Sequence, residues 1–390
     1  MQSMGTMVIL LLLAAAVVLT AAGPAPAMDY VSFQRDGRRQ QVDGRVLVEA
    51  QDGGLLVLAR DGVLWAVPPE ELVEHRQDEK PFAALSEEEF AERLGAELPA
   101  GFRVHSTAHY LIFYNTSPAY AQWCGSLFER LYMAFTNYFR RTFRGKKFTI
   151  REPEFPLVAV VFADRAAYVE HSKPVLGEAA GSIIGYFNLR TNRMTMYDLT
   201  GVDAASRIAG GTDSMRKISD WILAQPEAVR QVSTIVHEAT HQIAFNCGMH
   251  QRYSDTPVWL SEGIAMYFET PDLKRSTGWA GVGEVNRARL AHFRDYLRRR
   301  PADSLETLIA DDARFRDTKT GLDAYAEAWA LTYYLIHRRP DQFVAYLKAM
   351  SAKRPLFDDD PKTRIEEFRA AFGELKRLDA EMVRYMMRVR

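Results

Sequence analysis

Hydrophobic residues are laid along this chain in three regimes. The first is a solid block: Val8 to Ala22 reads VILLLLAAAVVLTAA, with one Thr and no charge. The second, residues 29–75, has short apolar runs at Val46–Val48, Leu55–Leu58 and Val63–Val67, punctuated by Asp43-Gly44, Asp52-Gly53-Gly54 and Asp61-Gly62. Short runs between Asp-Gly pairs predict strands joined by turns, hence a small all-β module, meander or barrel, over residues 28–80. Residues 81–100 read as a linker with one short helix, Ser86–Leu94, in which Ser86 and Glu89 have capping-box spacing. From about residue 101 strands and helices mix. Strands are predicted at His109–Tyr114, Leu157–Phe162, Ile183–Phe187 and Arg193–Tyr197, and a long helix at about Ala119–Arg141. Residues 199–211 read as a Gly-containing loop. From about 217 onward helical spacing dominates to the C-terminus. The fold class predicted is α+β: a region over 101–275 with a small, mainly antiparallel sheet followed by helices, then a helical subdomain over 276–390.

The apolar block is too short for a bilayer span, which needs about 20 residues, and fits a signal-peptide core of roughly 7–15. Gly23-Pro24 breaks it, and Ala25-Pro26-Ala27 has the A-x-A form of a cleavage site. Residues 1–27 are therefore predicted to be a signal peptide cleaved after Ala27, leaving a periplasmic or extracellular chain with no stable membrane span. Because residues 1–7 contain no Lys or Arg, an uncleaved N-terminal anchor is the alternative. Export places Cys124 and Cys247 where a disulfide could form; they either pair or are buried thiols. Two cysteines exclude a disulfide-dense scaffold and a four-cysteine metal site.

At 390 residues, 47% of them hydrophobic, the chain is a folded protein with room for two or three domains. With 49 basic and 50 acidic residues it has no global pull toward nucleic acid. The basic clusters Arg140–Lys147 and Arg298–Arg300 are short, and such runs mark solvated faces. Oligomeric state is not legible.

The chemistry concentrates at His237-Glu238-Ala239-Thr240-His241. On a helix, positions i and i+4 share a face, so two imidazoles one turn apart can hold one metal ion, with Glu238 placed to act as base on its water. No Pro or Gly interrupts residues 230–246, and Cys247-Gly248 ends the helix. A catalytic zinc site takes a third protein ligand and keeps an open position. Glu262, 21 positions beyond His241, supplies it from a second helix that starts near Pro257, capped by Asp255 or Thr256, and stops at Pro271.

His237-Glu238-x-x-His241 followed by Trp259-Leu260-Ser261-Glu262-Gly263 resembles the gluzincin metallopeptidases, and the whole chain resembles the peptidase-MA-like families of exported bacterial proteins. The resemblance implies a gluzincin-like catalytic region with Zn2+ on His237, His241 and Glu262, Glu238 as general base, and a peptide or protein substrate. It implies Tyr325 as the oxyanion donor, since Tyr325 lies 63 residues after Glu262, although the Lys and Gly of the family's Y-x-K-G segment are missing. His292 and His337 are the other candidates for that task. Glu269, two turns beyond Glu262, is either a partner that orients an imidazole or a surface charge; Asp198 and Asp255 are weaker candidates for the same task. His250 reads as a surface residue rather than a fourth ligand. The segment Arg193–Tyr197 is the expected sheet edge for an extended substrate. No Gly-x-Met-Glu-Asn segment is present, which favours an endopeptidase over an aminopeptidase. The alternatives are a catalytically degenerate gluzincin serving as a cell-envelope binding or scaffold module, and a hydrolase of a non-peptide amide.

Overall fold

The computed structural model describes residues 27–145, 148–200, 214–270 and 281–390. The predicted signal segment before Ala27, the loop beyond residue 200 and the stop at Pro271 lie outside the described residues.

The protein is α+β. Strands β1 (Ala27–Arg35), β2 (Arg38–Glu49), β3 (Leu55–Ala59), β4 (Leu64–Val67) and β5 (Leu72–Pro81) form an antiparallel sheet ordered β4-β3-β2-β1-β5. The meander covers β1 to β4, and β5 returns to pair with β1. Asp43-Gly44 is not a turn: Gly44 pairs with both Asp29 and Ala59 inside β2. A Cβ there would strike the Leu58 carbonyl, so the glycine serves a close strand approach. The hairpin turn is instead Asp36-Gly37, with φ of 52° and 72°, the left-handed pair that a two-residue hairpin requires. Every residue of β3 is buried. One side joins Val31 and Phe33 in the module's own core, and the other, with Leu56 and Leu58, packs with Phe82 and Phe155.

Helix α1 (Glu87–Glu97) follows, with both capping-box bonds between Ser86 and Glu89 formed. It is more than a linker, because Phe90 and Leu94 pack on the second sheet. That sheet contains β6 (Arg103–Ser106), β7 (Tyr110–Tyr114), β8 (Leu157–Phe162), β9 (Gly185–Asn188) and β10 (Arg193–Tyr197), ordered β6-β7-β8-β10-β9. Its outer pairings are antiparallel, and the two central ones, β7–β8 and β8–β10, are parallel. Parallel neighbours need crossovers; α2 (Pro118–Thr142) and α3 (Arg165–Leu176) provide them. Helices therefore cover both faces, and β8 is apolar throughout for that reason. Alternate residues Leu111, Phe113, Val158 and Val160 face α1 and α3, while Ile112, Ala159 and Val161 join the main core.

The rest is helical. Helices α4 (Ser214–Leu223), α5 (Pro226–Asn246) and α6 (Val258–Phe268) precede α7 (Arg287–Tyr296), α8 (Ser304–Ala310), α9 (Ala313–Arg316), α10 (Gly321–Arg338), α11 (Pro340–Ser351), α12 (Pro361–Phe372) and α13 (Leu375–Met386). No helix among the described residues is long and apolar enough to cross a membrane. Cys124 and Cys247 are free, buried thiols.

Helix α6 lies against α10, with Gly263 at the contact. A Cβ on Gly263 would overlap the Thr332 hydroxyl and sit 2.8 Å from Thr332 Cβ and 3.0 Å from the Ala328 carbonyl oxygen. A β-branched side chain and a helix backbone cannot yield cheaply. Gly263→Ala is expected to destabilise the protein by about 1–3 kcal/mol, the usual cost of overpacking. Urea unfolding of the two proteins measures it, and equal midpoints would refute the close contact.

Candidate metal centre

Helix α5 carries the first two site residues, and its placement is fixed by polar bonds that apolar periodicity does not reveal. Gln242 is fully buried; its Nε2 donates to the Val158 carbonyl of β8 at 2.9 Å and to the Asn192 carbonyl at 3.1 Å. One turn on, Asn246 exchanges two bonds of 2.8 Å with Asn192. These contacts set the rotation of α5 about its axis, and with it the direction of His237 and His241.

Helix α6 is apolar on almost every side, from Trp259 and Leu260 to Tyr267 and Phe268. A carboxylate in such a helix needs a partner. Glu262 finds it on α5: its Oε2 is 3.0 Å from His237 Nε2, and its Oε1 is 3.4 Å from His241 Nε2. The two Nε2 atoms are 3.2 Å apart. The start of α6 is not capped by Asp255 or Thr256. Asp312, from the turn before α9, accepts the Val258 N–H at 3.1 Å, while Asp255 is buried and bonded to Arg364.

His237, His241 and Glu262 are thus brought together as a group that could hold a metal ion. A tetrahedral ion with bonds of about 2.0–2.1 Å has ligand atoms roughly 3.3 Å apart. The two Nε2 atoms, 3.2 Å apart, match that spacing, and Glu262 places one oxygen 3.0 Å from the first and its other oxygen 3.4 Å from the second. The donor set, two imidazole nitrogens and one carboxylate, fits as well. Burial raises the Glu262 carboxyl, but His241 and His237 outweigh it and hold the group well below its ordinary value. Burial likewise pulls His237 down, and Glu262, Glu269 and Glu238 together outweigh it and lift the imidazole to about 10.

Glu269 is not a surface charge. Its Oε2 lies 3.4 Å from His237 Nδ1, the nitrogen on the far side of the ring from Glu262, and 3.6 Å from Arg289. Asn286 donates to its other oxygen at 3.4 Å. A carboxylate behind a ligating imidazole fixes its orientation and raises its basicity. Arg289 and Asn286 have no sequence signal of their own; both lie at the start of α7.

Glu238 points the other way along the helix surface. Its Oε2 accepts the Phe187 N–H of β9 at 3.0 Å. Strand β9 is the sheet edge, and Arg193–Tyr197 is not: β10 is enclosed between β8 and β9. The expected edge is corrected by one strand, because hairpin pairing places the earlier, shorter arm outside. Phe187 and Leu189, with Phe245, Tyr253 and Val258, line a cavity of about 330 Å³ that also exposes Glu238, His241 and Glu262.

Tyr325 opens α10 beside this cluster. Its phenol is raised to about 12 by burial and by the charges of Glu262 and Glu238, with Arg289 opposing. It is therefore a protonated donor at neutral pH. Its ring is braced by Phe315 at 5.2 Å and by the Arg289 guanidinium at 5.7 Å. The other candidates are engaged elsewhere. His292 Nε2 pairs with Asp323 at 2.8 Å, and His337 Nδ1 with the Tyr333 carbonyl at 2.8 Å. Asp198 accepts from Thr116 and Thr200. His250 is buried, against its reading as a surface residue, because the chain turns back under α5 after Gly248 at φ 77°.

Residues 231–357 match a protein family described as "Protein of unknown function (DUF1570)". The match begins one and a half turns before His237 and takes in His241, Glu262, Glu269 and Tyr325, but neither sheet. No curated protein matches the chain.

Proposed function

We propose that the chain is an exported zinc metallopeptidase of gluzincin type, acting as an endopeptidase on peptide or protein substrates. The observation that carries this reading is the cluster of His237, His241 and Glu262, which could hold a metal ion, with Glu238 beside it at an open strand edge. Zinc, bound there, would supply a Lewis acid that polarises a carbonyl and acidifies water. The chain's own residues supply the rest. Glu269 holds the His237 ring in register. Glu238 takes the proton of the attacking water and delivers it to the leaving amine. The β9 edge offers main-chain groups to an extended peptide. Tyr325 donates to the oxygen on which negative charge develops. Zinc analysis of the purified chain, followed by mass-spectrometric profiling of cleaved peptides, tests the reading; a chain that binds no zinc and cleaves no peptide refutes it.

Tyr325→Phe isolates the oxyanion role. It keeps the ring between Phe315 and Arg289 and removes only the hydroxyl. Turnover should fall about 10²–10³-fold with KM little changed, the usual cost of losing one oxyanion donor. Steady-state kinetics on a cleaved peptide gives the answer; an unchanged kcat would return Tyr325 to a packing role.

A further inference from the structure

A second cavity, of about 280 Å³, lies where the β module meets the far end of α5. Its walls are Arg45 and Leu58 of the module, the segment before β8 from Arg151 to Phe155, the last residues of α5 and the turn beyond it to Arg252. Three facts about it belong together. His250 lines it at 2% exposure, and neither of its ring nitrogens has a hydrogen-bond partner among the described residues. Buried polar groups are rarely left so.

The two acids in the wall are already engaged. Glu154 takes both terminal nitrogens of Arg45 at 2.8 and 2.6 Å. Glu152 accepts from Tyr132 at 2.6 Å and from Arg140.

Two guanidinium groups in the wall make no ion pair among the described residues. Arg252 donates only to the Leu189 and Arg190 carbonyls, at 3.0 and 3.4 Å. Burial pulls it down to about 10, against the smaller opposing effects of Tyr253, Glu154 and Asp61, so it stays charged at neutral pH, with no carboxylate bonded to it among the described residues. Arg151 makes no ion pair among the described residues. Its backbone N–H is fixed on the Cys247 carbonyl at 3.0 Å, and its stem lies across Gly248.

We propose that this cavity is a binding site for a small oxyanion, a carboxylate or a phosphate, gripped by Arg151, Arg252 and the His250 imidazole. The charge decides the ligand class: among the described residues, the charged groups in the wall without an ion pair, Arg151 and Arg252, are both cations. Planar guanidinium groups match the paired oxygens of either anion. Arg252 also holds the β9–β10 turn through its two carbonyl partners, so the bound anion would brace the arm that presents Phe187 to Glu238.

Calorimetric titration of the purified chain with inorganic phosphate and, separately, with citrate tests the site, against sodium chloride at matched ionic strength. The expected result is saturable binding of at least one of the two, weakened at least tenfold in Arg151→Gln and in His250→Phe. The better-bound anion identifies the source. Arg151 is exposed and carries no internal ion pair, so Arg151→Gln leaves folding intact even if His250→Phe does not. No saturable binding of either anion overturns the proposal. So does binding that survives in Arg151→Gln, which would place the anion elsewhere, the metal centre included. Neither result depends on peptidase activity.

Discussion

About one zinc ion per chain should accompany the purified protein, and Glu262→Ala or His241→Ala should lose it. The argument rests on the cluster of His237, His241 and Glu262: removing one member leaves two ligands, too few for a retained ion. The loss should exceed the roughly 10–100-fold weakening that follows from removing an outer partner. Glu269→Gln supplies that comparison, since Glu269 meets the three candidate ligands only at the back of His237. Elemental analysis after dialysis compares the wild type with the three variants. Metal-free wild type, even after zinc is added, would end the metal reading and leave α5 and α6 as helices joined by an ordinary ion pair. The pH dependence has a fixed sign. Without metal, the elevation of His237 from its ordinary 6.5 to about 10 stabilises the fold fully below the lower value. That contribution is lost as pH rises toward the upper one. A cation must displace the same proton, so its affinity runs the other way. It should weaken as pH falls and His237 takes up its proton, by up to about tenfold per pH unit while Glu262 stays ionised.

The metal helices could be read from sequence because their information is local. Two histidines four apart need only a helix, and the spacing of Val232, Val236, Ala239 and Ile243 supplies one. The capping box at Ser86 and the apolar strand β8 are local in the same sense. What escaped is set at long range. Strand β5, Leu72–Pro81, is a charged outer strand with no alternation to mark it, and helix α3 contains Pro174. The identity of the sheet edge depends on which side of β8 the β9–β10 hairpin joins, and no residue in β10 encodes that. The cap of α6 comes from Asp312, 54 positions away. Glu269 could be placed on the right face by counting turns, but its role depended on where α7 brings Arg289 and Asn286.

Glu238→Gln should keep the metal and the fold while lowering turnover by about 10²–10⁴-fold, the usual worth of a general base. Structure is preserved for a specific reason. Glu238 accepts the Phe187 N–H at 3.0 Å, and the carbonyl oxygen of a Gln can accept the same bond, so β9 stays where it is. What is removed is the negative charge and, with it, the ability to take a proton. Glu238→Ala would confound the test, because it leaves the Phe187 N–H without its partner and frees the strand edge. On the proposed function the bond would matter as well: an extended peptide laid along β9 would compete with Glu238 for this donor and release the carboxylate to turn to water. Glu238→Gln should therefore retain peptide affinity, measured by titration, as kcat collapses. Zinc bound at wild-type level with activity undiminished would show that proton transfer does not pass through Glu238. Loss of both zinc and β9 contacts would make the residue structural, which its one hydrogen bond does not support.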